Sequence, residues 1–375
     1  MIFPGHLTLA QSLARQIAPR ADEADRLARL PEEDVRALRD SGYLKLSAPR
    51  EYGGDGLSLR DCIAAQLELA QGSASTALVA AMQLHVFGSA RETRTWPEAL
   101  FEKLCQAAVN EGALFNNIAS EPGLGSPSRG GLPATTLTPD GDGWRLNGHK
   151  NWCTGGRHLT HLLIRARLDG ASALVVVPAL SPGLRWEETW RDALSLRASD
   201  SHDLHLENVY VPREALLEQD TQHGPNAWFL LIITSVYLGA GIAARDAVIK
   251  YALERVPTAL GKPIATLPGA QRQIGEIDLA LQAARSLLMD AATEWGDGSQ
   301  ADLVFPRIIA AKHLAIDTAI AVADKAMRIA GGASISRGLP LERLFRDTRA
   351  GTMHPPSGDL ALETVGRAAI DSIRL

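Results

Sequence analysis

Three cysteines in 375 residues are too few to build a framework from. Cys62, Cys105 and Cys153 are odd in number and far apart, which argues against both disulfide stapling and a zinc site. His202 and His205 flank Asp203, but on a strand the two histidines face opposite sides and do not converge on one ion, so no metal is expected. A charge excess is missing too. With 38 Lys+Arg against 43 Asp+Glu the formal net charge is −5, which supports neither a nucleic-acid nor a membrane-surface partner. No uninterrupted apolar run reaches the ~18 residues of a membrane span. Residues 1–5 lead into a polar, helix-prone stretch rather than a secretory apolar region, so the cytoplasm is the expected location. There is no internal repeat and no low-complexity tail.

What remains is ordinary globular material, 46% hydrophobic and 22% charged, long enough for two or three domains with real cores. Helical spacing runs through residues 7–29, where Leu9, Leu13 and Ile17 recur on one face, and through 31–38, 59–69 and 97–108. Residues 75–89 are apolar almost all round, as a buried helix should be, and carry His85, which taken alone reads as a hydrogen-bonded core residue. From residue 112 the texture changes to short alternating runs at 144–146, 162–167, 173–177 and 204–211, broken by Gly, Pro, Asp and Asn. Helical patterns return at 228–255, 271–295, 305–330 and 356–373, and four such helices suggest a bundle. The expected fold is α+β, mainly α. It has an N-terminal helical domain (1–111), a middle antiparallel β domain (112–223) and a C-terminal four-helix bundle (224–375). Small residues at 239–244 (GAGIAA) permit close helix packing and suggest contacts between subunits.

Residues 147–156, NGHKNWCTGG, organise the rest. Asn147-Gly148 predicts a tight hairpin turn, with residues 150–154 as the return strand. Period-two geometry would put Trp152 and Thr154 on one face, a flat ring beside a hydroxyl, which suits a planar heterocycle. Taken alone, the hairpin favours the blander reading, a core Trp with a strand-forming Thr, because buried aromatics are common.

Upstream lies a Gly/Pro/Ser loop at 119–126, ASEPGLGS. The two stretches together resemble the acyl-CoA dehydrogenase superfamily of flavoproteins, which holds its flavin with T-E-P-x-x-G-S and G-x-K-x-W-x-T motifs. Ser120 stands where Thr is usual. The family's P-x-x-Y-G-G-x-G loop is matched by Pro49, Tyr52, Gly53, Gly54 and Gly56. The resemblance implies FAD, contacted by Asn117, Ser120, Gly125, Ser126, Trp152 and Thr154, with Thr154 at the N5 edge and Ser120 at the pyrimidine edge. It also implies a homodimer or homotetramer. In that assembly Arg255, ending KYALER, reaches the pyrophosphate of a neighbouring subunit's flavin, with Gln271 and Gly331-Gly332 near further cofactor contacts. Arg255 also reads as a solvated helix end, and the glycine pair as a helix C-cap. The family's R-x-x-F-G continuation is absent after Arg255.

The base departs most. The family removes an α-proton with a glutamate shortly after an R-D pair. Counted from Arg346-Asp347, that position holds Pro355, and an alternative base position used by relatives falls among Phe229 and Leu230. A general base contributes roughly 10²–10⁴ in rate, so dehydrogenation of an acyl thioester should be poor unless His354 substitutes. A second branch resembles dibenzothiophene monooxygenase. It uses reduced FMN or FADH2 as co-substrate, lacks the glutamate, and has histidines like His354 and His85. His354 and His85 are therefore the expected catalytic residues, titrating near neutral pH. The substrate is an acyl thioester or a small molecule, and the redox partner an electron-transfer flavoprotein or a flavin reductase. Dehydrogenase-like chemistry on an acyl thioester is the first expectation, reduced-flavin-dependent monooxygenation the alternative, and a silent flavin- or acyl-carrier-binding protein the third class.

Overall fold

The computed structural model describes residues 5–123, 131–219, 226–296, 298 and 301–374. Its first part is helical: α1 (Gly5–Leu27), α2 (Glu32–Asp40), α3 (Leu59–Gly72), α4 (Ala74–Thr93) and α5 (Glu98–Asn110). Helix α1 buries Ala10, Leu13, Ile17, Ala21 and Ala24, an i, i+3/i+4 stripe. Ser58 starts α3 by accepting from Asp61 N (3.1 Å) while donating to its carboxylate (2.8 Å), and Ser73 caps α4 in the same way at Thr76 N (3.2 Å).

The strands are β1 (Phe115–Ile118), β2 (Thr136–Asp140), β3 (Gly143–Cys153), β4 (His161–Leu168), β5 (Ala171–Pro178), β6 (Leu184–Glu187), β7 (His202–Pro212) and β8 (Leu216–Gln219). They form one sheet in the order β6-β7-β3-β2-β4-β5-β8, with β1 added to β4. Its pairings are antiparallel except that β1 and β2 run parallel to β4. One sequence expectation fails here. Asn147-Gly148 is not a turn but the middle of β3, because this strand must pair with β2 on one side and β7 on the other. The tight turn uses the earlier Gly141-Asp142 pair, with Gly141 at φ +61°. Gly148 instead sits at a β-bulge against β7, where a Cβ would collide with Thr135 Oγ1. Asn147 turns its amide oxygen to Asn208 N, 2.8 Å away.

The last part is α6 (Ala227–Glu254), α7 (Pro268–Gly296), α8 (Ala301–Ala330), a short α9 (Leu341–Asp347) and α10 (Gly358–Arg374). Helix α6 is apolar and long enough to cross a membrane by composition alone, but 89% of its apolar window is buried inside the protein. It is the common core of the helical parts, and its small residues serve that purpose. A Cβ on Gly239 would strike Ala70 and Leu67 of α3, and one on Gly241 would press on Ala319 of α8. The small-residue face expected between subunits is thus used within the chain.

Candidate functional site

The loop after β1 and the end of β3 are held together by a buried ion pair. Lys150 Nζ lies 2.7 Å from Glu121 Oε1 and also donates to Arg165 O at 2.5 Å. Glu121 accepts from Ala134 N (2.6 Å) and Thr135 N (3.1 Å). Lys150 is wholly buried and Glu121 is 3% exposed. Burial pushes the Glu121 carboxyl up, but the Lys150 ammonium and the Thr135 and Ala134 donors outweigh it and hold it below its ordinary value. Burial depresses the Lys150 ammonium. Next to this pair Asn151 N donates to Ser120 O at 3.2 Å, so the loop bearing Ser120 is tied to the strand bearing Trp152.

Trp152 does not follow the expected alternation. The register of β3 against β7 slips between Lys150 and Cys153, Trp152 takes φ +56°, and β3 ends at Cys153, before Thr154. A positive φ on a bulky residue is strained backbone, of the kind that persists where the surroundings over-determine it. The result is a Trp ring that is 57% exposed, which excludes the core reading, beside a Thr154 that is 6% exposed. Thr154 Oγ1 lies 2.8 Å from Ser201 Oγ, which lies 2.7 Å from Ser199 Oγ. Asn116 Nδ2 donates to Thr154 O at 2.9 Å and Gly155 N to Ser199 O at 2.9 Å.

These residues fit a flavin. The buried side-chain oxygens of Asn117 and Asn151, flanking Ser120 and Trp152, have no partner among the described residues and can accept from donors such as ring N–H and ribityl hydroxyls. Trp152 offers a bare aromatic face. Ser120 is partly buried. Gly125 and Ser126 lie outside the described residues.

The two histidines meet across Phe229. His85, in α4, is 4% exposed, and its ring packs edge-on against Phe229 at 5.1 Å. On the other side Phe229 meets His354 at 6.1 Å. His354 follows the helical turns after α9, and its Nε2 is 2.7 Å from the Tyr237 hydroxyl of α6. Lys312, a 3%-exposed lysine of α8, donates to His354 O and Pro356 O, both at 2.8 Å. Neither imidazole titrates near neutrality as the sequence suggests. Burial pushes His354 down to about 4, with the Lys312 ammonium adding to it, and burial alone pushes His85 down to about 3. Both are neutral at pH 7. His85 Nδ1 is buried without a partner among the described residues. Phe229 lies between them, in ring contact with both.

The bundle-end group stands apart. Arg255 caps α6, Gln271 lies in the first turn of α7 with its Nε2 on Ala265 O (3.0 Å), and Gly331 ends α8 at φ +61°, followed by Gly332. All four are exposed. Between the start of α7 and the end of α8 runs a groove of about 400 Å³ lined by Gly269, Arg272, Gln273, Glu276, Lys325 and Arg328. Arg255 and Phe229 are at opposite ends of α6, ~40 Å apart at 1.5 Å per residue.

Sequence reasoning missed Tyr237, Lys312, Ser199 and Ser201. Lys312 left one signal, a lone cation in the apolar run IIAAKHLAI. Tyr237 left none.

Domain models of the acyl-CoA dehydrogenase family match along the chain: the N-terminal domain over 7–103, the middle domain over 117–209 and the C-terminal domain over 231–356. The chain is 36% identical to a putative acyl-CoA dehydrogenase, YdbM, of Bacillus subtilis (strain 168), over 96% of its own length and 95% of the relative's. Among solved structures, KijD3 in complex with FMN and a dTDP-amino sugar is 26% identical, with TM-score 0.85 over 99% of this chain and 95% of that one. FMN-bound TdsC of Paenibacillus sp. A11-2, a dibenzothiophene monooxygenase, has the same fold at TM-score 0.87 and 23% identity, over 98% and 97% of the two chains.

Proposed function

The chain belongs to the acyl-CoA dehydrogenase family, a flavoprotein oxidoreductase family, and from that premise we propose that it uses reduced flavin and oxygen on a small substrate rather than dehydrogenating an acyl thioester. The observation that carries this is the missing carboxylate. Pro355 stands where the family's base is expected and the alternative position falls among Phe229 and Leu230, none of which accepts a proton, while the neighbouring His354 has its Nε2 on the Tyr237 hydroxyl, 2.7 Å away. A general base contributes roughly 10²–10⁴ in rate, so thioester dehydrogenation without one is poor. When bound, the flavin supplies two-electron chemistry and, in its reduced form, activates oxygen.

The chain's own residues then have separable tasks. Glu121 and Lys150 fix the loop against the strand, while Trp152, Ser120, Thr154, Asn117 and Asn151 hold and orient the ring. His354, Phe229 and His85 wall off the substrate side and exclude water, with the neutral imidazoles offering hydrogen bonds there. The second reading, acyl-thioester dehydrogenation, rests on the 36%-identical relative. Anaerobic mixing of the oxidised holoprotein with an acyl-CoA panel separates the two. No flavin bleaching is expected, whereas reduced flavin, oxygen and a panel of small aromatics should give substrate-dependent oxygen uptake. Bleaching by any acyl-CoA would reverse the choice, and silence in both assays would favour a binding protein.

The working form is an oligomer on this reading, a homodimer or homotetramer. Arg255 sits far along α6 from Phe229, so it serves a neighbouring subunit's flavin, with Gln271, Gly331 and Gly332 beside it. Helix α10 exposes Leu360, Leu362, Ile370 and Ile373, an apolar surface of the kind subunits cover. Light scattering should give a dimer or tetramer. A monomer with full flavin occupancy contradicts this arrangement.

A further inference from the structure

Tyr237 is buried completely, and among the described residues its hydroxyl has one hydrogen-bond partner, His354 Nε2 at 2.7 Å. A neutral imidazole carries a proton on one nitrogen and a lone pair on the other, and what the protein offers decides which. Two arrangements are open. If His354 Nε2–H donated to Tyr237, the phenol proton would be left in a fully buried site with no acceptor, and unmade buried donors are costly. If Tyr237 donates, no donor is lost on its side, and the imidazole proton must sit on Nδ1. That nitrogen has no partner among the described residues. Burial keeps the Tyr237 hydroxyl protonated, so the donor persists at all working pH.

We infer that Tyr237 is a positioning residue which locks His354 as its Nδ1–H tautomer, so that His354 meets a ligand as a hydrogen-bond donor and not as a proton acceptor. The inference deepens the function proposed above and rests on His354 facing the substrate. Three other groups bear on it. Lys312 fastens the segment on both sides of the ring by its bonds to His354 O and Pro356 O, and its ammonium disfavours a second proton. His85 reaches the ring only across Phe229 and is itself neutral. Asp347, which acts on Tyr237 electrostatically, opposes ionisation of the phenol. Each favours a neutral His354 beside a protonated Tyr237.

The test is the tautomer itself. Full-length protein labelled with 15N-histidine is compared with Tyr237→Phe at pH 7 by NMR, with His354→Gln identifying the resonance. Wild type should show a protonated Nδ1 and an unprotonated Nε2. Tyr237→Phe should move the proton to Nε2, the nitrogen free imidazole side chains prefer. A merely structural tyrosine would leave the tautomer unchanged. Turnover of Tyr237→Phe should fall about tenfold in kcat with KM within about twofold, as for weakening of one aligned donor. A protonated Nε2 in wild type, or an unchanged tautomer in Tyr237→Phe, overturns the lock. Should Tyr237→Phe not fold, the wild-type spectrum alone decides. If the tautomer behaves as expected but His354→Ala keeps full turnover, the lock stands and the proposed role of His354 falls.

Discussion

Replacing His354 with alanine is expected to lower turnover by about 10²–10³, the usual consequence of removing one donor aimed at developing charge. Flavin affinity should change little, since the flavin-holding residues lie on β3 and the loop after β1. The reasoning starts from burial. His354 is held against Phe229 and Tyr237, and its segment is anchored by Lys312, so the ring is fixed before any ligand arrives. Asparagine retains an N–H donor and should recover part of the loss, by an amount between alanine and wild type. The pH profile gives a second reading of the same variant. Because burial lowers His354 to about 4, its charge does not change between pH ~5.5 and 8, and it contributes no limb to kcat in that range. A wild-type limb near pH 6.5 that vanishes in His354→Ala would mean that the imidazole titrates as an acid/base after all. His354→Glu asks the converse question. If the absent carboxylate is what bars dehydrogenation, this variant should gain acyl-CoA-dependent flavin bleaching that the wild type lacks.

Lys150→Met should destabilise the protein by about 3–5 kcal/mol, because it leaves the Glu121 carboxylate buried without its cation. The pair is almost fully out of water, at 0% and 3% exposure, so solvent screening does not blunt the effect. Flavin binding should weaken in parallel, since Glu121 also pins Ala134 N and Thr135 N and the neighbouring loop carries Ser120. The double variant Lys150→Met/Glu121→Gln removes both charges and should recover part of the stability, which denaturant melts read as a non-additive cycle. Strictly additive losses would show that the two groups act independently.

How far the sequence carried these conclusions differs from residue to residue. The helices were legible because their signals are local: the apolar stripe of α1 and the all-round apolar run of α4. The flavin stretches were legible through their resemblance, down to Glu121 and Lys150, although nothing local indicates that these two, 29 residues apart, form one ion pair. Two readings failed for a shared reason. Asn147-Gly148 looks like a turn and Trp152-Cys-Thr154 looks like regular alternation, yet both belong to a strand with partners on either side, and bulges against β7 decide both. Pairing with a strand some sixty residues downstream leaves no mark in the local pattern. Tyr237 and His354 are 117 residues apart, and their contact exists only because α6 passes under the segment after α9. The histidines were found, but their protonation was not, since burial sets it and burial belongs to the fold.

The central claim is that the surface between the Ser120 loop and Trp152 holds a flavin, and direct titration tests it. Purified protein is titrated with FAD and with FMN, oxidised and anaerobically reduced, following flavin and tryptophan fluorescence. Saturable binding of at least one flavin is expected. In Trp152→Ala it should weaken by about tenfold or more, given ~1–3 kcal/mol for one base-like ring stacked on an aromatic side chain. Absence of saturable binding by either flavin in both redox states, or binding untouched by Trp152→Ala, would contradict the account.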